Sequence, residues 1–278
     1  MWFWRYELRP RRALSALAGA GAREGALIRD GDGFADVHPW PELGDEPLGE
    51  QLARLARGET TALTRRSLAF AKLDGAARRE RRSLFDGLTI PKSHWPGDDP
   101  PDDFDTVKLK SIESIPDRVR LRIDFNAKLR PEEFVYIADA LPKERVDFVE
   151  DPCPYDGATW SALRQTTGLR FALDRGVATE GVDVLVVKPA VQEMPASNCD
   201  RDVVVTSYMD HPVGQFFAAY VAATNQVNDR CGLFTHVLFE PDDFIARVGS
   251  DGARLLAPEG NGVGFDDLLE RLPWKTLA

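Results

Sequence analysis

The sequence predicts an α/β protein: a modified (β/α)8 barrel with some of its outer helices shortened, preceded by a small α+β domain. Three observations predict it. Short apolar runs, each bounded by charged or turn residues, recur between residue 90 and residue 238. Amphipathic stretches lie between several of them, and strands that alternate with helices indicate a parallel sheet. The runs number eight, which is the count that closes a barrel of this kind.

In chain order, residues 2–8 alternate apolar and polar, and residues 25–30 form a second short run before the turn residues Gly31-Asp32-Gly33. Residues 46–57 and 61–82 carry helical spacing, with Leu52, Leu55, Leu63, Leu68, Phe70 and Leu73 recurring at short helical steps. Residues 1–87 are therefore assigned to this α+β domain, which the family resemblance given below implies is a capping domain. Pro100 and Pro101 keep the connector after residue 95 from being helical.

The barrel is assigned to residues 88–239, with strands at 90–95, TVKLKS, VRLRIDFN, VDFVEDP, LRFALDR, VDVLVVKP, DVVVTSYM and CGLFTHVL. Helices are expected at 131–141, 156–167 and 212–225, the first opening on the helix-starting Pro-Glu-Glu. Little room for a helix remains between the first two runs, between 175 and 183, or between 190 and 203, so the outer ring should be incomplete there. Residues 240–278 are expected to pack back on the capping domain.

Size and composition agree with one such unit: 278 residues, 43% hydrophobic and 29% charged, leave ample material for a core. A formal charge of −10 argues against nucleic acid as a partner, which would need a basic stripe. No stretch is apolar enough to span a bilayer, and MWFWRYELRPRR lacks the apolar centre of a signal peptide. Three scattered cysteines make neither a disulfide framework nor a zinc site, so a cytoplasmic setting is expected.

The ends of the runs carry the chemistry. Successive strands end in Lys108-x-Lys110, Asp124-x-Asn126, Glu150-Asp151, Asp174 and Lys188. In a parallel barrel the C-terminal strand ends meet on one face, where the active site forms. Unpaired buried charges are costly, so five apolar strands ending in charge need a shared purpose. A hard cation such as magnesium supplies one: Asp124, Glu150 and Asp174 offer oxygen ligands from adjacent strands. Lys110 and Lys188 then flank the metal, where a lysine beside a divalent cation can act as a general base. Parity along the strand turns Lys108 the same way as Lys110, and Arg122 and Asn126 the same way as Asp124. Lys108 is read as a supporting charge, and Arg122 as either a clamp for a substrate carboxylate or half of an ion pair with a neighbouring strand. The four histidines lack metal-binding spacing and are assigned to surface or loop positions, and the run 78–82 to a solvated helix face.

The ordered set K-x-K, D-x-N, E-D-P, D, K resembles the enolase superfamily, and within it most closely the o-succinylbenzoate synthases of menaquinone biosynthesis. Three further stretches are similar to that family: GFADVHPWPEL in the capping domain, SYMDHPVG at the seventh strand and CGLFTH at the eighth. The resemblance implies a lyase that uses magnesium, with manganese as a substitute, held by Asp124, Glu150 and Asp174. It implies a small-molecule carboxylate substrate, 2-succinyl-6-hydroxy-2,4-cyclohexadiene-1-carboxylate, dehydrated in a syn sense through an enediolate. Lys110 would take the α-proton and return it to the leaving hydroxyl, and Lys188 would stabilise the enediolate from the opposite face. Lys108, Arg122, Asn126 and Ser207 are candidate substrate contacts. N-acylamino acid racemase, dipeptide epimerase and muconate-type cycloisomerase share this site, although CGLFTH lacks the Asp-x-Asp of the epimerases. A non-catalytic scaffold would be expected to have lost one of the five residues, and none is lost. The chain departs from the family in Asp210, which replaces a glutamate, and in a short segment 9–24 where the specificity loop lies.

Overall fold

The structure is a computed structural model that describes residues 1–14, 21–196, 199–227 and 230–278. Most of the expected loop segment 9–24 is included, but residues 15–20 lie outside the described residues.

The N-terminal unit is built on strands β1 (Trp2–Leu8), β2 (Arg23–Asp30) and β3 (Gly33–Val37), all antiparallel. Gly31, at φ 60°, opens the two-residue turn between β2 and β3, a conformation that glycine adopts without steric cost. Helices α1 (Leu48–Ala56) and α2 (Ala62–Arg79) follow, and Thr61 caps α2 by accepting the Thr64 amide. α2 lies so close on β3 that a methyl group at Gly33 would stand 1.8 Å from the Ala71 carbonyl oxygen. Gly33→Ala should therefore cost about 1–3 kcal/mol of stability. Urea unfolding measures this, and an unchanged midpoint would contradict the close approach.

Strands β4 (Thr106–Leu109) and β5 (Arg120–Asp124), helix α3 (Pro131–Ala140), β6 (Val146–Glu150), α4 (Gly157–Thr167), β7 (Phe171–Asp174), β8 (Val184–Val187), β9 (Asp202–Val205) and α5 (Pro212–Thr224) form the second unit. The six strands are parallel and neighbour one another in chain order. Single bridges close the ring: Trp95 to Val107, Ser93 to Cys231, and Gly232 to Thr206. The first and eighth staves are thus shorter than expected. Pro91 and Pro96 flank the first and cannot donate to a ladder. The eighth turns at Thr235 into a short 3-10 helix through Leu238. Among the described residues, long outer helices follow only β5, β6 and β9. The three expected gaps lack one, and so does the short segment between β4 and β5, which contains Pro116.

Two layers of core flank the parallel strands. Outside, Phe134, Trp160 and Phe171 meet edge to face under α3 and α4. Inside, Phe148, Ala172, Val184, Val186 and Val204 form one buried cluster. Two residues further along the same inward rows stand Glu150, Asp174, Lys188 and Thr206. The period of two therefore carries the charges from an apolar barrel floor to its mouth.

The chain ends with β10 (Ser250–Asp251), β11 (Arg254–Leu255), α6 (Asp266–Leu269) and β12 (Lys275–Thr276), which pairs with β1. Asp74 of α2, fully buried, accepts from the amides of Phe34 and Val263 and from Arg78 Nε at 2.6 Å. Arg78 also bonds Asp266, so it is a structural tie and not part of a solvated face.

Candidate active site

Five strand ends converge on a cavity of about 480 Å³ lined by Lys108, Lys110, Asp124, Asn126, Asp174 and Lys188. Glu150 stands with them, 2% exposed. The Lys108 ammonium lies 2.7 Å from both Glu150 oxygens and 3.1 Å from Asp124 Oδ2. Lys188 donates to Asp174 Oδ2. Among the described residues Lys110 makes no carboxylate pair; it donates to the Leu14 carbonyl at 2.6 Å, which ties the cavity to the segment that follows β1.

These surroundings divide the three lysines. Burial pushes Lys110 down to about 8, with Lys108 and Lys188 adding to the shift against the pull of Asp124. Lys108 is also buried, but the charges of Asp124, Glu150 and Asp174 outweigh burial and raise it. Glu150 is pushed up to about 7, chiefly by burial, with Asp124 and Asp174 adding to what Lys108 opposes. Burial likewise lifts the neighbouring Asp151 to about 8.

The residues suit a divalent cation. Three carboxylates sit at neighbouring strand ends, and Asp174 Oδ1 is buried with no hydrogen-bond partner among the described residues. As placed, no three acidic, imidazole or thiol groups among the described residues could share one ion. The Lys108 ammonium stands between Asp124 and Glu150.

The backbone around the mouth is unusual. Asn126, Ala127, Asp151, Arg175 and Met209, each just beyond a strand end, have φ between 44° and 56°. Non-glycine residues rarely adopt this region, and such positions cluster where structure holds a site in place. The strand-end turns also bring the Asn126 amide to Asp124 Oδ1 at 2.9 Å and the Asp174 amide to Asp151 Oδ1 at 3.2 Å.

Arg122 does not fit the role of a substrate clamp. Its guanidinium is 2% exposed, with Nε 2.9 Å from Asp147 on the adjacent β6 and Nη1 bonded to His94 and the Arg230 carbonyl. It lies below the cavity against the Phe148 ring, so the ion pair is the reading its contacts support. Asn126 and Ser207 do line the cavity, and the Ser207 hydroxyl is 2.5 Å from that of Thr235.

Sequence reasoning missed several residues. His94, Trp40, Leu14 and Thr235 line the cavity, and His38, His94 and His211 are buried, not on the surface. A lone histidine carries no periodic signal. Asp210 faces the capping unit: a methyl group at Gly214 would lie 2.6 Å from Asp210 Oδ2 and 2.8 Å from Asp36 Oδ2. Tyr6 donates to Asp36 at 2.6 Å, and the His211 amide to the same carboxylate at 3.1 Å.

Fold and strand-end constellation together define an enolase-type barrel. The fold is shared with a mandelate racemase/muconate lactonizing protein from Herpetosiphon aurantiacus, with a TM-score of 0.76 and 15% identity, covering 94% of this chain and 96% of that one. It is shared too with a dipeptide epimerase from Cytophaga hutchinsonii, solved with Mg and the dipeptide D-Ala-L-Val, with a TM-score of 0.75 and 15% identity, covering 99% and 98%. Residues 1–77 match the family profile described as O-succinylbenzoate synthase, N-terminal domain, and residues 75–182 that of an Enolase C-terminal domain-like unit. An o-succinylbenzoate synthase from Bdellovibrio bacteriovorus is 35% identical over 323 aligned positions, covering 98% of this chain and 97% of that protein. The chain belongs to the o-succinylbenzoate synthase family of the enolase superfamily. No helix among the described residues is long and apolar enough to cross a membrane.

Proposed function

We propose that the chain carries out the reaction of its family, the dehydration of 2-succinyl-6-hydroxy-2,4-cyclohexadiene-1-carboxylate to o-succinylbenzoate in menaquinone biosynthesis, with Lys110 and Lys188 as the working pair. The observation that carries this reading is the contrast between the two lysines on one cavity: Lys110, with no carboxylate partner among the described residues, pushed down to about 8, and Lys188 paired with Asp174.

Asp124, Glu150 and Asp174 would hold magnesium, or manganese in its place, and the bound ion would draw the charge that develops on the substrate carboxylate. Neutral Lys110 takes the proton from the carbon that bears the carboxylate. The resulting ammonium returns a proton to the hydroxyl on the same face, and water leaves, so a syn elimination needs only one acid–base group. Lys188, from the opposite face, opposes the negative charge on the substrate oxygens. The low dielectric of the buried mouth strengthens both effects. Asn126 and Ser207 would hydrogen-bond the substrate, and Lys108 would balance the carboxylates. The few, widely spaced cysteines suit a cytoplasmic setting.

Loss of substrate absorbance in the ultraviolet tests the reading. Turnover should stop on chelation and return with magnesium or manganese. Lys188→Ala should lower kcat by about 10²–10³, the usual loss when one stabiliser of a developing charge is removed. Normal turnover by that variant would sink the two-lysine mechanism. Racemisation of N-succinyl amino acids, with no dehydration, would move the chain to the racemase reading.

A further inference from the structure

Staves two to six supply Lys110, Asp124, Glu150, Asp174 and Lys188, so the reacting end of a substrate lies against that half of the mouth. Beyond that half the cavity extends to staves seven, eight and one and to Arg12, Leu14 and Trp40 of the N-terminal unit. At those staves the cavity is lined by Thr206, Ser207, Gly232, Thr235 and His94, none of them charged acids or bases in the usual sense of an ion-pair site. A side arm that ends in a carboxylate against this wall needs hydrogen-bond donors from it.

His94 is held to be such a donor. It lies between Ser93 and Trp95, whose bridges to Cys231 and Val107 fix the first stave. Its Nδ1 is 3.1 Å from Arg122 Nη1. A guanidinium only donates, so Nδ1 accepts and the ring proton sits on Nε2. Burial, with Arg122 and then Lys108 adding to it, drives the imidazole well below its ordinary pKa, so the ring is neutral. The Arg122 bond is its one side-chain hydrogen bond among the described residues. Nε2 faces the eighth stave, where a methyl group at Gly232 would be 3.1 Å away. Glycine at that position leaves the N–H open to the cavity.

We propose that His94 is a specificity-determining residue whose Nε2–H donates to the second carboxylate of the substrate, the one at the end of the side arm remote from the reacting carbon. The assignment rests on the proposed reaction for the identity of that arm. Arg122, removed from substrate contact by its own partners, becomes the positioning residue that selects the tautomer.

Two variants separate the donor from the scaffold. His94→Asn keeps an acceptor for Arg122 at the Nδ1 position and withdraws the donor from the cavity. His94→Gln carries an N–H at about the reach of Nε2. Calorimetry on the full chain with magnesium would compare o-succinylbenzoate with 2-propanoylbenzoate, which lacks the second carboxylate. Wild type should prefer the diacid, and His94→Asn should lose about ten- to hundred-fold of that affinity, the usual value of a hydrogen bond to a charged group. KM should rise in like measure with kcat nearly unchanged, the monoacid should bind as before, and His94→Gln should recover part of the loss. Equal loss for both acids, or a fall in kcat at constant KM, would overturn the assignment, as would a wild type with no preference for the diacid. If His94→Asn does not fold, retained preference in His94→Gln supports the donor and its loss overturns it. A wild type that turns nothing over yet prefers the diacid through His94 would instead remove the proposed reaction and leave the donor standing.

Discussion

Lys110→Ala should lower turnover by about 10²–10⁴, the range that a positioned general acid–base group supplies. The fold should survive, because among the described residues the lost ammonium bonds the Leu14 carbonyl and no carboxylate. Lys110→Arg should be equally inactive, since a guanidinium keeps its proton at any working pH. The pH profile gives an independent check. The base must be neutral, and burial sets its pKa near 8, so kcat/KM should rise with pH through about 8 and level off above it. Below the midpoint the rate should fall about tenfold per pH unit, and a bound dication would move the midpoint lower. A rate independent of pH across that range, or an active alanine variant, would remove Lys110 from the role of base.

Glu150→Gln should abolish the response to magnesium. The amide keeps the shape of the side chain but removes the central charge of the carboxylate row, whose two oxygens both contact Lys108. Turnover should fall by about 10³ or more, given that a metal supplies several kcal/mol of charge stabilisation. The second readout is thermal. A ligand at a hundred times its dissociation constant adds about 2.7 kcal/mol to stability, so wild type should melt higher as magnesium is added, and the variant should not. A variant that still melts higher with magnesium would show that Glu150 is not a ligand.

Much of this protein was legible before any tertiary structure was known. Hydrophobic periodicity placed the parallel strands and the three long outer helices, because burial on both faces demands apolar runs and helix starts leave local marks at Pro131, Asp156 and Pro212. Side-chain alternation put Lys108, Lys110, Asp124, Glu150, Asp174 and Lys188 on one inward set, and their order along the chain became their order around the mouth. The first and eighth staves were overextended because an apolar run does not reveal how many of its residues find a ladder partner. Prolines at 91 and 96 and the turn at Thr235 limit those runs to single bridges.

The site itself divides in the same way. By itself the sequence determined which charged groups share the barrel mouth, since parity and strand order are local properties of the backbone. Only the tertiary structure decided how those groups are spent. It set Lys108 among the carboxylates and left Lys110 without one, turned Arg122 down to Asp147 and His94, and made His94 a neutral donor on the opposite wall. Each outcome depends on which side chain comes within about 3 Å of another across distant strands, and on how much water burial excludes there, which no periodicity in the chain records.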